Sequence, residues 1–148
     1  MGIFSAMNVG CDGLKVHGQR LDISSKNIAN IDTPNYTRKI PLVVSTDRSS
    51  FLSVINQMRE SALGAGTLPY ASGSVSMAGV VEDPTLGEKI YKPGHPDADE
   101  NGYIRTSNVD PLVEMTDAIM AQRAYEASLS IITISKTLAE RATSIGSN

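Results

Sequence analysis

The sequence predicts an α+β fold in which two long terminal α-helices pair as a coiled-coil-like helical domain, with a small β-rich insertion between them. Three observations predict it. Apolar residues recur every seven positions over residues 3–31. They alternate by three and four over residues 109–145. Between these stretches lie most of the glycines and prolines, together with runs of strand character. The corresponding divisions are 1–36 for the N-terminal helix and its stop motif, 37–108 for the middle segment, and 109–148 for the C-terminal helix that pairs with the first.

In the first helix, Met7, Leu14, Leu21 and Ile28 form one stripe, flanked by small groups at Gly10, Cys11, Gly18, Ser24 and Ser25 and by His17. Small neighbours permit close approach, so this stripe reads as a seam against another helix. A second stripe runs through Val9, Val16 and Ile23, about 200° further round at roughly 100° per residue. A helix with two apolar faces needs two partners. Periodicity alone leaves open whether the second partner lies in the same chain or in a neighbour.

The C-terminal helix starts at a good N-cap, Asp110, followed by Pro111 at the first helical position and Glu114 in the first turn. Met120, Ala124, Ala127, Ile131, Ile134 and Leu138 continue as a heptad seam, expected to meet the Met7–Ile28 stripe. Tyr125 and Ile132 lie on a second stripe. With Val9, Val16 and Ile23 they are the expected contacts to neighbouring molecules. At 1.5 Å per residue the two helices are rods of about 40 and 50 Å.

Within the middle, "IPLVVS" (40–45) and "SVSMAGVV" (74–81) have strand character, and "EDPTLGEK" (82–89) reads as a turn between extended segments. "SFLSVINQM" (50–58) fits a short helix or a strand, and "ALGAGTLPYASGS" (62–74) reads as a loose linker.

Composition removes several function classes. A formal charge of −3, from 13 basic and 16 acidic residues, gives no electrostatic footprint for nucleic acid or an anionic membrane. The single Cys11 excludes an internal disulfide framework and a thiolate zinc cluster. No apolar run approaches the roughly 20 residues needed to span a bilayer, and no cleaved signal is expected, since Asp12 interrupts the N-terminal stretch. His17 sits in the helix seam and His95 between prolines, so no nucleophile–base pair is suggested. The expectation is a protein that is not an enzyme, with no catalytic residues, no metal and no cofactor.

One stretch argues for a metal. In "PDADENGYI" (96–104), Asp97, Asp99, Asn101 and Gly102 match half of a calcium-loop pattern. Such a loop needs a bidentate Glu at its twelfth position. Counting from Asp97, that position is Asn108 and the ninth is the cation Arg105. The stretch is therefore expected to be a tight turn, with Asn101-Gly102 in left-handed conformations. A calcium-binding module using 97–108 is the minor alternative.

"NIANIDTPNYTRK" (27–39) stops the first helix: Asn30 suits the exit, and Thr33-Pro34-Asn35 turns the chain away. The same residues carry a resemblance. Asn27, Ala29, Asn30, Thr33, Pro34 and Tyr36 match the motif that ends the N-terminal helix in bacterial flagellar axial proteins. Asn108, Val109 and Asp110, then Gln122, Arg123, Ala124 and Tyr125, are similar to its C-terminal counterpart. "YKPGHPDADENGYI" (91–104), ahead of Asn108-Val109-Asp110, resembles the proximal subunit of the basal-body rod, with another axial subunit as the alternative.

The resemblance implies a structural subunit whose terminal helices form an inner tube around an export channel, transmitting motor torque. It implies copies of itself and other flagellar rod subunits as partners, with the flagellar export apparatus during secretion. Nucleic acid and membrane insertion are not expected. It places the protein in the periplasmic part of the basal body, reached without a cleaved signal peptide.

Overall fold

The computed structural model describes residues 3–45 and 74–146. Helix α1 spans Ile3–Ala29 and helix α2 spans Pro111–Gly146; between them lie strands β1 (Lys39–Ser45), β2 (Val75–Glu82), β3 (Lys89–Tyr91) and β4 (Tyr103–Arg105). The architecture is the expected α+β arrangement of two long helices with small antiparallel hairpins between them. The sequence readings of 50–58 and of most of 62–74 lie outside the described residues.

The start of α2 follows its capping chemistry. Asp110 Oδ1 accepts the amides of Leu112 at 2.8 Å and Val113 at 3.4 Å, satisfying donors that the helix leaves unpaired. The end of α1 is capped by a side chain as well: Asn30 Nδ2 donates to the Lys26 carbonyl at 2.8 Å. Thr33 and Tyr36 donate their amides back to Asn30 and Thr33, and Asn35 takes a left-handed φ of 60°. The Thr33-Pro34-Asn35 stretch is thus a tight reversal.

The helices run antiparallel. Gly10 faces Ile132 and Ser128, Gly13 faces Ser128, Gly18 faces Tyr125, and Asn27 faces Glu114. The approach is close. A Cβ added to Gly13 would stand 2.6 Å from Ser128 Oγ, and one added to Gly10 would stand 2.8 Å from Ile132 Cγ1. On α2 the buried residues are Glu114, Ala121, Ser128 and Ser135, a strict heptad of small or polar groups.

This corrects the seam read from periodicity. Met120, Ile131, Ile134 and Leu138 are exposed, as is Ala127, while Ala124 is half-buried. Met7, Leu14, Leu21 and Ile28 are half-buried flanks of the α1 contact face. Most of the residues assigned to neighbours have contacts within the chain, while Tyr125 is still 40% exposed. Val16 and Ile23 are buried, Val9 is half-buried, and Tyr125 and Ile132 lie against Gly18 and Gly10. The physical reason is steric: a seam this close admits Gly, Ala and Ser but not a ladder of Met, Ile and Leu. Heptad spacing reports that a stripe recurs, not which partner covers it.

The second stripe of α1 finds its partner in the β1–β2 hairpin, which packs along α1. Val16, Met77 and Gly79 line one groove between α1 and the hairpin, and Ile23, Met77 and Val80 line another. Ser74 Oγ donates to Asp12 at the start of β2. β1 pairs antiparallel with β2, Lys39 opposite Glu82 and Ser45 opposite Val75, with a register shift between Leu42 and Val43. Pro41 is tolerated because a two-stranded sheet consists of edges. Strands β3 and β4 form a second hairpin with Lys89 opposite Arg105, on which the rings of Tyr91 and Tyr103 meet edge to face at 5.2 Å.

Candidate functional site

At the end of the helix pair where α1 stops and α2 begins, the chain builds a polar junction. Asn27 is fully buried, and its amide makes every hydrogen bond it can. Nδ2 donates to the Lys39 carbonyl at 2.8 Å and to Glu114 Oε2 at 3.1 Å. Oδ1 accepts the Lys39 amide and the Tyr36 hydroxyl, each at 3.0 Å. No Asp, which lacks donors, and no Leu would satisfy this set.

Glu114 is buried to 1% exposure and lies against Arg38, whose Nε donates to Oε1 at 2.5 Å. A carboxylate buried so deeply requires a cation and hydrogen bonds to remain there. Arg38 also reaches Asp117 at 3.4 Å and Asp83 at 3.9 Å, so one guanidinium serves three carboxylates. Burial, and then the Glu114 carboxylate, push the Tyr36 phenol above its ordinary range.

Asn108 closes the junction from the other side. Its Oδ1 accepts the Arg38 amide at 2.6 Å, and its Nδ2 donates to the Thr85 carbonyl at 2.7 Å. Thr85 in turn donates its hydroxyl and amide to Asp83 Oδ1. Those two bonds, with Arg38 adding to them, hold the Asp83 carboxyl below its ordinary range. The turn after β2, the strand β1, the end of α1 and the start of α2 thus meet at one cluster.

Of the residues singled out by motif, Asn27, Tyr36 and Asn108 lie in this cluster. Val109 is buried beside it, and Asp110 caps α2. Asn30 and Thr33 build the reversal, joined by a 3.3 Å hydrogen bond, with Pro34 half-buried and Ala29 exposed. Gln122 and Arg123 lie on the exposed side of α2, where Gln122 donates to Glu126 at 3.0 Å. Arg38, Asp83, Thr85 and Asp117 escaped sequence reasoning. Their signal was weak, because apart from the local Asp83–Thr85 bonds their partners lie 23 to 79 positions away in the chain.

The 96–104 stretch is the β3–β4 turn. Asp99 Oδ1 accepts the amides of Asn101 and Tyr103, each at 2.9 Å, and the Tyr103 bond contributes most to holding its carboxyl below the ordinary range. Gly102 alone takes the left-handed conformation, at φ 79°; Asn101 does not, a correction to the expected pair. The geometry does not fit a calcium loop: the Asp99 carboxylate is engaged by backbone donors, and Asn108 belongs to the junction. Among the described residues, no group of three or more His, Cys, Asp or Glu side chains is placed to hold a metal ion. Nor is any described helix long and apolar enough to cross a membrane.

Comparison with known proteins now has a geometry to meet. The family model for flagella basal body rod proteins matches residues 7–37, covering α1 and the reversal. That for the flagellar basal body rod FlgEFG protein C-terminal region matches residues 100–145, covering β4, Asn108 and α2. The two matches meet in space at the polar junction and define a rod-type flagellar axial protein. The chain is 31% identical to the flagellar basal-body rod protein FlgC of Bacillus subtilis over 99% of both chains. It is 31% identical to that of Borreliella burgdorferi over 98% of both, and 27% identical to that of Salmonella typhimurium over 99% of both. The chain belongs to the FlgC family of flagellar basal-body rod proteins, the proximal rod type.

Proposed function

We propose that the chain is a structural subunit of the proximal rod that performs no chemical reaction. Its paired terminal helices assemble side by side with copies of itself and other rod subunits into a helical tube. That tube encloses the export channel and carries motor torque, with 37–108 on its outside. The subunit reaches the periplasmic part of the basal body through the flagellar export apparatus, without a cleaved signal.

One observation carries this reading. The outward flank of α2 exposes a row of large apolar side chains, among them Met120, Ile131, Ile134 and Leu138, with Ile134 at 60% exposure. Apolar surface of that extent marks a face that other molecules cover. Heterologous contacts that do not close generate a helical tube, and torque is then shared over many buried contacts. Deleting the gene should leave cells without hooks or filaments, scored by electron microscopy, and the protein should co-purify with detergent-extracted basal bodies. Normal external flagella in the deletion strain, with no second copy of the gene, would sink the proposal.

A further inference from the structure

The polar junction sits at one end of a seam that has little else to fix its axial position. Opposite Gly10, Gly13 and Gly18 stand Ser128, Ile132 and Tyr125. One heptad further along α2, Ser135, Ala139 and Ile132 would come opposite Gly13, Gly10 and Gly18, each no larger than the residue it replaces. A slide of seven residues, about 10 Å at 1.5 Å per residue, would therefore meet no bulky obstacle there. Large interlocking side chains usually hold a helix pair in register. Here the large side chains that face the seam glycines are Ile132 and Tyr125, which lie one heptad apart, so a seven-residue slide exchanges one for the other at Gly18. Among the described residues no strand packs on α2, and the hairpins reach it only through the connection at 106–110, where Asn108 is bonded to Arg38 and Thr85.

We infer that the Asn27–Arg38–Glu114 cluster is the register key of the helix pair, setting which turn of α2 faces which turn of α1. Glu114 belongs to the same heptad as Ala121, Ser128 and Ser135 and is the one charged member of it. In the slid register, Ala121 would replace it opposite Asn27. The amide would lose its acceptor, and Arg38 would lose the carboxylate that its Nε now meets at 2.5 Å. Unpaired buried polar groups and charges are costly, so every register but one is penalised. A buried polar contact that selects among nearly equivalent apolar packings is its best-attested structural use. Arg38 and Asn27 are positioning residues in this sense. The inference rests on the fold alone and stands apart from the rod reading.

Disulfide cross-linking of the full chain reads register directly. In a Cys11→Ser background, Gly13→Cys with Ser128→Cys reports the native register, since the two β-carbons would stand 3.3 Å apart, near the usual disulfide spacing. Gly13→Cys with Ser135→Cys reports the slid one. With the junction intact, only the first pair should cross-link. In Arg38→Met/Glu114→Leu, which replaces both charges by apolar groups, the slid pair should rise about tenfold. A single native cross-link in that variant, with helical circular dichroism retained, overturns the inference. If the double variant loses its helices, Glu114→Gln carries the test, because it keeps side-chain volume and removes the charge. The slid cross-link must rise there, and native cross-linking alone refutes the inference. Loss of every cross-link in both variants also counts against it, since the junction would then be needed for pairing itself.

Discussion

The two flanks of α2 invert the usual pattern. Toward α1 it buries Glu114, Ala121, Ser128 and Ser135; toward solvent it presents Met120, Ile131, Ile134 and Leu138. In a self-sufficient domain the large apolar side chains would face inward and the small polar ones outward. The difference shows how the chain divides its interactions. Contacts within the molecule use close approach and a satisfied polar cluster. The larger apolar side chains lie outside the helix pair.

The contrast can be tested by breaking each side in turn, judged by thermal unfolding followed at 222 nm. The largest effect should come from Glu114→Ala. It leaves Arg38 partly buried without its closest carboxylate and Asn27 without an acceptor, and the expected loss is about 3 kcal/mol. Asp117 and Asp83 can take over part of the guanidinium charge, so Glu114→Ala combined with Asp117→Asn should cost more than either alone. Additive, small effects would show that the cluster is not a unit.

Gly13→Val tests the close approach. Its branched side chain must displace Ser128 or part the helices, at about 1–3 kcal/mol. The same change at Gly79, which has no neighbour within 4 Å of an added Cβ, should cost far less. Equal losses at the two positions would remove the steric account of why the seam is small.

Acidity should act more gently. His17 has a buried Nδ1 without a hydrogen-bond partner, and desolvation, then the Arg20 charge, lower its pKa below the ordinary 6.5. The folded state therefore binds fewer protons than the unfolded one just below that value, so stability falls as pH drops through it. His17→Gln should flatten the slope of stability against pH just below about 6.5. An unchanged slope would mean that His17 does not titrate differently on folding.

Calcium should do nothing. With Asp99 engaged by the amides of Asn101 and Tyr103, millimolar calcium should leave the unfolding temperature where magnesium leaves it. A rise of several degrees with calcium alone would reopen the metal reading of 97–108.

The helices were legible in the sequence because their signals are local. Seven-residue recurrence, the Asp110-Pro111 start and the Asn30 exit are written within a few turns of where they act. The strands of the first hairpin were legible from β-branched runs, though nothing in those runs states that they pair or that the hairpin covers Val16 and Ile23. The contact faces were misread for a physical reason. Assigning the heaviest apolar stripe to the intramolecular seam assumes that a chain buries its own largest side chains first, and this chain does not. The junction was legible only in part. Asn27, Tyr36 and Asn108 stood out through the resemblance. Glu114 was read as a first-turn acid favoured by the helix dipole, and its partner Arg38, 76 positions earlier, carries no local mark.

The central claim is that the outward apolar flank of α2 is an assembly surface and not a packing defect. Ile134→Asp tests it, since Ile134 is 60% exposed in the chain. The measurement is the amount of the variant recovered in detergent-extracted basal bodies, set beside the unfolding temperature of the same purified chain. The account predicts a stability within about 0.5 kcal/mol of the parent, together with loss of the variant from basal bodies and loss of swimming. Full incorporation with normal motility would contradict it, because a charge could not then lie where a neighbouring subunit covers the helix.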